Sequence, residues 1–338
     1  MNKKKLIWQL PFLAILVIGT IFIIRQQHVT PYQHDEGFIF GTIYHITYQS
    51  DENYQKEIEE ELQKVDQSLS PFNKGSIISK INRNENIKVD EMFKEVFLLA
   101  EKISKETNGA FDITVAPMVN TWGFGFKQGK VPSKETIDSL RAIVGFEKVS
   151  LVNDYIKKQN SNTMLDCSAI AKGYGSDVVA RLLKKKGIEN FMVEIGGEVV
   201  TCGNSEKRVP WRIGVNKPTD DSLNTNTELQ TVLNVTDKAM ATSGNYRNFY
   251  YKNGKKYAHT IDPKTGYPVQ HNILSATVIA NNCATADAFA TSFMVLGMDG
   301  TKKILEQHPE LLAYLIYSDA QGKNRVWYSP SMKKILAE

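Results

Sequence analysis

At 338 residues the chain is long enough for one large domain or two ordinary ones, and 42% hydrophobic with 10% aromatic residues support a sizeable core. The net charge is only +4, from 41 basic and 37 acidic residues spread along the sequence, so no basic block marks a surface for nucleic acid. Neither an internal repeat nor a low-complexity stretch points to a solenoid.

Lys3, Lys4 and Lys5 precede an uncharged run from Leu6 to Ile24, and Arg25 closes it. As a helix that run spans about 28 Å, close to the thickness of a bilayer core. The charge order puts the N-terminus in the cytoplasm and the rest outside. Residues 1–25 therefore read as a single-pass membrane anchor, 26–37 as a polar tether and 38–338 as the folded domain. A cleaved signal peptide shares this charge order, and both readings put the domain outside the cytoplasm. Cys167, Cys202 and Cys283 are too few, and odd in number, for a disulfide framework. No Cys/His cluster has zinc spacing.

Residues 40–48 alternate like a strand, and Ile58, Leu62, Val65 and Leu69 then fall at helical spacing. A second helix is expected over 91–107, stopped at Asn108-Gly109. After it comes GAFDITVAP (109–117), in which Phe111 offers an aromatic face and Asp112 an acceptor for ring or ribose donors. Residues 148–164 are short and β-like with Asn/Asp breaks. In LDCSAIAKGYGSD (165–177) a strand ends at Asp166, and an Ala/Gly-rich turn leads into a helix over 171–186 carrying Lys172. Small residues, helix-start N–H groups and a lysine suit a diphosphate cradle. An ordinary N-capped helix with Lys172 in solvent fits the same letters.

Strands are expected at 191–195, 211–215, 229–236 and 273–280. Tight turns account for VEIGGEV (193–199) and for Ser243-Gly244 with Arg247 beyond it. In YAHTIDPKTGYPV (257–269), His259 stands before turn residues; its near-neutral pKa makes it a candidate base, with Asp262 as an orienting partner. A helix over 285–296, stopped by Gly297, carries Asp287 and Thr291 four residues apart on one face. A carboxylate and a hydroxyl are hard oxygen ligands of the kind Mg²⁺ takes. Spacing alone also allows Asp287 to serve the helix dipole and Thr291 to pack. Helix, strand and a short strand near 325–328 complete the chain. Without strict βαβ alternation, the fold class is α+β with mixed or antiparallel sheets and packed helices.

Together and in this order, these segments resemble the FAD:protein FMN transferase (ApbE) family, from about Gly41 to Gly300. The resemblance implies an ApbE-like, T-fold-related α+β core. It also implies an enzyme that splits FAD, its substrate, and attaches FMN through a phosphoester bond to a Thr or Ser hydroxyl of another protein, releasing AMP. By the same resemblance Asp287, Thr291 and the Ala169 carbonyl would ligate Mg²⁺. FAD contacts map onto Phe40, Phe72, Ala110, Phe111, Asp112, Asp166, Lys172 and Ile261. Phe40 stands where family members commonly have Met, and Phe72 where many have Tyr. His259 and Asp287 are the candidate catalytic residues, and exported flavin-carrying redox proteins with a Ser/Thr target motif are the implied partners. An Mg²⁺-dependent FAD pyrophosphatase and a flavin-binding protein are the competing readings.

Overall fold

The computed structural model describes residues 11–20, 29–125, 131–219, 228–246, 249–252 and 255–337. The expected anchor falls largely outside them. Residues 11–20 are helical with mostly exposed side chains, and among the described residues no helix is long and apolar enough to cross a membrane.

The chain begins its sheet earlier than expected. Residues 32–37, read as tether, belong to strand β1 (Tyr32–Ile39), which pairs antiparallel with β2 (Thr42–Gln49). Asp35 makes this strand look polar in sequence, yet it is buried, accepting hydrogen bonds from Tyr48 Oη and Asn53 Nδ2, both at 2.8 Å. Helix α1 (Gln55–Leu69) buries Ile58, Leu62, Val65 and Leu69, the stripe its spacing predicts. Short α2 (Ile77–Asn82) leads to α3 (Glu91–Glu106), which starts where the Asp90 carboxylate accepts the Phe93 N–H at 2.8 Å. It stops where Asn108 and Gly109 turn left-handed. Helices α4 (Ala116–Trp122) and α5 (Lys134–Arg141) follow, then a hairpin of β3 (Val149–Val152) and β4 (Tyr155–Lys158).

Helix α6 (Ala171–Lys185) precedes β5 (Phe191–Ile195) and β6 (Glu198–Cys202); then come β7 (Trp211–Asn216), β8 (Leu229–Val235), β9 (Ala239–Gly244), β10 (Phe249–Lys252) and β11 (Lys255–Ala258). Strand β12 (Ile273–Ala280), helix α7 (Cys283–Gln307), β13 (Leu312–Ser318) and β14 (Asn324–Tyr328) close the order. Among the described residues eight strands make one antiparallel sheet, ordered β1-β2-β5-β6-β9-β12-β13-β14. The α+β expectation with antiparallel sheets therefore holds. Strands β6, β9 and the β10–β11 hairpin were not foreseen: β9 is a run of small residues, and the hairpin is lysine-rich.

Alternation along the central strands builds two cores. Ala276, Val278 and Ala280 of β12 join Ala313 and Leu315 of β13 under Phe93, Phe97, Phe289 and Phe293 of α3 and α7. Ile279, Tyr314 and Ile316 point the other way, against Trp211, Ile213, Leu233 and Val235 of the β7–β8 hairpin. With both faces covered, β12 carries a nearly continuous buried run rather than polar-apolar alternation. The start of α6 lies directly against the start of α7. A Cβ on Gly173 would come within 2.4 Å of the Cys283 carbonyl oxygen, so only glycine permits that approach.

Candidate active site

A cleft of about 490 Å³ opens at one end of the large sheet. Phe72, Ala110, Phe111, Asp112, Asp166, Ala169, Lys172, His259, Ile261, Asp287 and Thr291 all line it, although they come from segments spread over more than two hundred residues of chain. Phe40, mapped from the resemblance as a flavin contact, lies outside that lining. It sits in the β1–β2 turn with φ 52°, and its ring lies where a Cβ on Gly175 would meet it.

Helix α7 sets the acidic floor. Its N-terminus is already served: Asn282 Oδ1 accepts the Thr285 N–H at 2.9 Å, and Asp177 accepts those of Cys283 and Ala284 at 2.8 and 2.9 Å. Asp287 is therefore not needed as a cap. It lies in the second turn, buried, and takes the Gly173 N–H of α6 at 3.2 Å through Oδ2. Thr291, one turn on, shares a 2.9 Å hydrogen bond with Ser243 Oγ at the end of β9. The helix kinks at Gly297, where φ 71° and ψ −174° interrupt it before it runs on to Gln307.

Helix α6 sets the basic wall. Among the described residues no side chain caps its start, unlike the ordinary helix that its letters allowed. Nor does Lys172 point only to solvent: its ammonium is 2.6 Å from Oε1 of Glu198. Burial opposes the Lys172 charge, but Glu198 and Asp287 outweigh it and hold the amine protonated above its usual range. Glu198 is pushed up to about 7 because burial outweighs the pull of Lys172. Asp287 is raised for the same first reason, against Lys172 and the Gly173 N–H.

The remaining candidates are held by turns. Asp112 is buried and fully engaged, Oδ1 accepting from the Thr114 N–H and hydroxyl at 2.8 and 2.7 Å and Oδ2 from the Phe146 N–H at 2.8 Å. Burial raises its pKa, and those bonds pull it back. Asp166 Oδ1 accepts the Ser168 N–H at 2.8 Å, bending the chain toward Ala169. Phe72 is 69% exposed at the lip, whereas Phe111 is sunk in the wall. His259 follows β11 edge-on to Phe124, ring centroids 6.5 Å apart. An aromatic stack of Phe124, Tyr250, Tyr257 and Trp122 backs it, with centroid spacings of 5.2, 5.4 and 5.5 Å. Asp262, the expected orienting partner, turns Oδ1 to the Lys264 N–H at 2.9 Å and does not line the cleft.

Glu198 and the Ser243 hydroxyl also line the cleft, although in sequence both segments spell only tight turns. Gly196 and Gly197 are indeed a turn, with φ 62° and 104°, but they deliver Glu198 to the cleft. The available signal was an acid opening a strand that is otherwise apolar, E-V-V-T-C. Arg247 lies outside the described residues.

Chemically, the cleft gathers oxygen donors and a cation beside a helix start, with aromatic and apolar residues lining the rest. Among the described residues no group of three or more His, Cys, Asp or Glu could hold a metal. Mg²⁺ takes oxygen ligands and is commonly held by one or two carboxylates, with substrate phosphates and water filling its other positions. Glu198 Oε2 is buried with no hydrogen-bond partner among the described residues, while Oε1 is held by Lys172. These features together make the cleft the candidate active site of an enzyme.

The ApbE family model matches residues 40–316. An FAD:protein FMN transferase of Escherichia coli is 33% identical over 323 residues, covering 91% of this chain and 90% of that one. One from Haemophilus influenzae is 37% identical over 303 residues, covering 85% and 86%. Among solved structures, the flavin transferase ApbE from Vibrio cholerae matches with TM-score 0.81 and 35% identity, over 90% of this chain and 99% of that one. The chain belongs to the ApbE family.

Proposed function

We propose that this chain splits FAD and transfers the FMN half to a Ser or Thr hydroxyl of an exported target protein, with AMP as the leaving group and Mg²⁺ as the required ion. The observation that carries this reading is the convergence in one cleft of residues that the family resemblance marks for flavin, diphosphate and metal. The residues fit the ion: Asp287, Thr291 and the Ala169 carbonyl are hard oxygen donors, and with both acids ionised Asp287, Glu198 and Lys172 sum to one negative charge. When bound there, Mg²⁺ would neutralise diphosphate charge that otherwise repels a nucleophile.

The chain's own groups do the rest. Phe111 and Phe72 offer faces for a flat ring. The uncapped start of α6 and the Lys172 ammonium attract the diphosphate. His259 takes the proton of the acceptor hydroxyl as its oxygen forms a bond to the phosphorus on the FMN side. The bridging P–O bond then breaks, and AMP departs with the electron pair. The charge order around Leu6–Ile24 supports attachment to the membrane with the catalytic domain on the outer side.

The test is mass spectrometry of the chain incubated with FAD, Mg²⁺ and neighbouring exported proteins. Covalent flavin on an acceptor is the expected result; free FMN and AMP alone would make the chain a hydrolase, and unchanged FAD a binding protein. Release of the full chain from membranes by detergent but not by salt checks the anchor.

A further inference from the structure

Three charged side chains meet at the cleft floor, two of them acids, and the single ammonium is not shared evenly. Glu198 holds Lys172 at 2.6 Å through Oε1. Asp287 lies near enough for its charge to act on Lys172, yet its recorded hydrogen bond is to the Gly173 N–H at 3.2 Å. Glu198 itself is rigidly placed. It opens β6 after the Gly196-Gly197 turn, pairs with Ile195 across the hairpin, and its carbonyl accepts the Ser176 hydroxyl at 3.1 Å. The same hydroxyl is 3.3 Å from the Lys172 carbonyl, so one side chain ties the lysine's helix to the glutamate's strand. The Glu198 side chain is 4% exposed, and Oε2 has no hydrogen-bond partner among the described residues. A buried acid with one free oxygen is costly to keep, which calls for a role beyond packing.

From this geometry we infer that Glu198 is a positioning residue: it holds the Lys172 ammonium off Asp287, so that the Asp287 carboxylate stays free for a divalent cation. The inference rests on the metal reading proposed above. Without the Glu198 charge, Asp287 is the remaining carboxylate whose charge acts on Lys172, and an Asp287–Lys172 pair would compete with the cation for the same oxygens. Glu198 thus acts on the metal site through Lys172, and its effect must vanish when Lys172 carries no charge.

A double-mutant cycle tests this, read as Mn²⁺ affinity by electron paramagnetic resonance on the full chain without FAD. Glu198→Gln is expected to weaken Mn²⁺ binding about tenfold in the wild-type background and by less than about threefold in a Lys172→Met background. An equal fall in both backgrounds would mean that Glu198 acts on the cation directly, and no fall in either would remove it from the site; both overturn the inference. If Glu198→Gln does not fold, Glu198→Asp enters the same cycle: it keeps the charge but is one methylene too short for the 2.6 Å contact, so weakening is expected only where Lys172 is present. Asp287→Ala separates the two levels. Mn²⁺ binding lost in that variant but indifferent to Glu198 sinks only the positioning role, whereas wild-type protein that binds no Mn²⁺ overturns the metal reading as well.

Discussion

His259 stands in a turn, and turns are weak evidence of function when seen as sequence alone. The fold gives it a backing. Trp122 Nε1 donates to the Gly266 carbonyl at 2.7 Å, and the Thr260 hydroxyl donates to Asn245 Oδ1 at 2.6 Å, so the segment is pinned on both sides. If His259 accepts the nucleophile's proton, His259→Ala should lower kcat by about 10²–10⁴-fold while the FAD dissociation constant stays within about threefold. Stopped-flow FAD binding beside single-turnover transfer separates the two quantities; loss of binding would make the residue structural. At this scale the candidates legible in the sequence were those whose chemistry shows in the letter, such as an acid and an alcohol one turn apart. Glu198 was illegible because the letters around it spell a tight turn, and its lysine partner is 26 positions away along the chain.

Among elements, the crossing of α6 and α7 decides the site, since it brings Lys172 and Ala169 to Asp287. Gly173 permits it, and its N–H joins the two helices through Asp287. Gly173→Ala puts a methyl against backbone atoms of Cys283 and Ala284, which cannot rotate away. The helices must separate, at a cost of about 1–3 kcal/mol of stability. Urea unfolding should show that loss, together with weakened Mn²⁺ binding. Had the methyl been absorbed with cation affinity unchanged, the crossing would not govern the metal site. Helix periods and stops were readable here: α1, α3 and α6 run close to where apolar spacing and Asn-Gly or Gly signals put them. Gly297 read as a stop, yet the structure shows a kink with helix on both sides, because β12, β13 and α3 offer a surface for the second half to pack on.

Taken whole, the molecule keeps several acids buried near one another, and this makes its stability depend on pH. Asp177, tied to the start of α7, is pushed up to about 6 by burial, against the N–H groups of Cys283 and Ala284 and the charge of Arg181. Its folded pKa exceeds its unfolded value, so the folded state binds the extra proton between the two. The contribution is fully present below about pH 4, is lost as pH rises through about 6, and is flat above that. The size is on the order of 2–3 kcal/mol. In metal-free buffer, wild type should lose stability relative to Asp177→Asn as pH is raised from 4 to 7; parallel curves would show that Asp177 titrates alike folded and unfolded.

The sequence by itself determined the α+β class, the run of helices and buried strands, the family resemblance and the chemical kinds gathered in the cleft. These follow from periodicity, turn chemistry and residue type, all of which act over a few neighbouring positions. Tertiary structure alone decided the order of the eight strands, the early start of β1 around a buried Asp35, and the pairing of Lys172 with Glu198. Those depend on which distant segments exclude water from one another, and burial of a charge takes its meaning from the partner that compensates it.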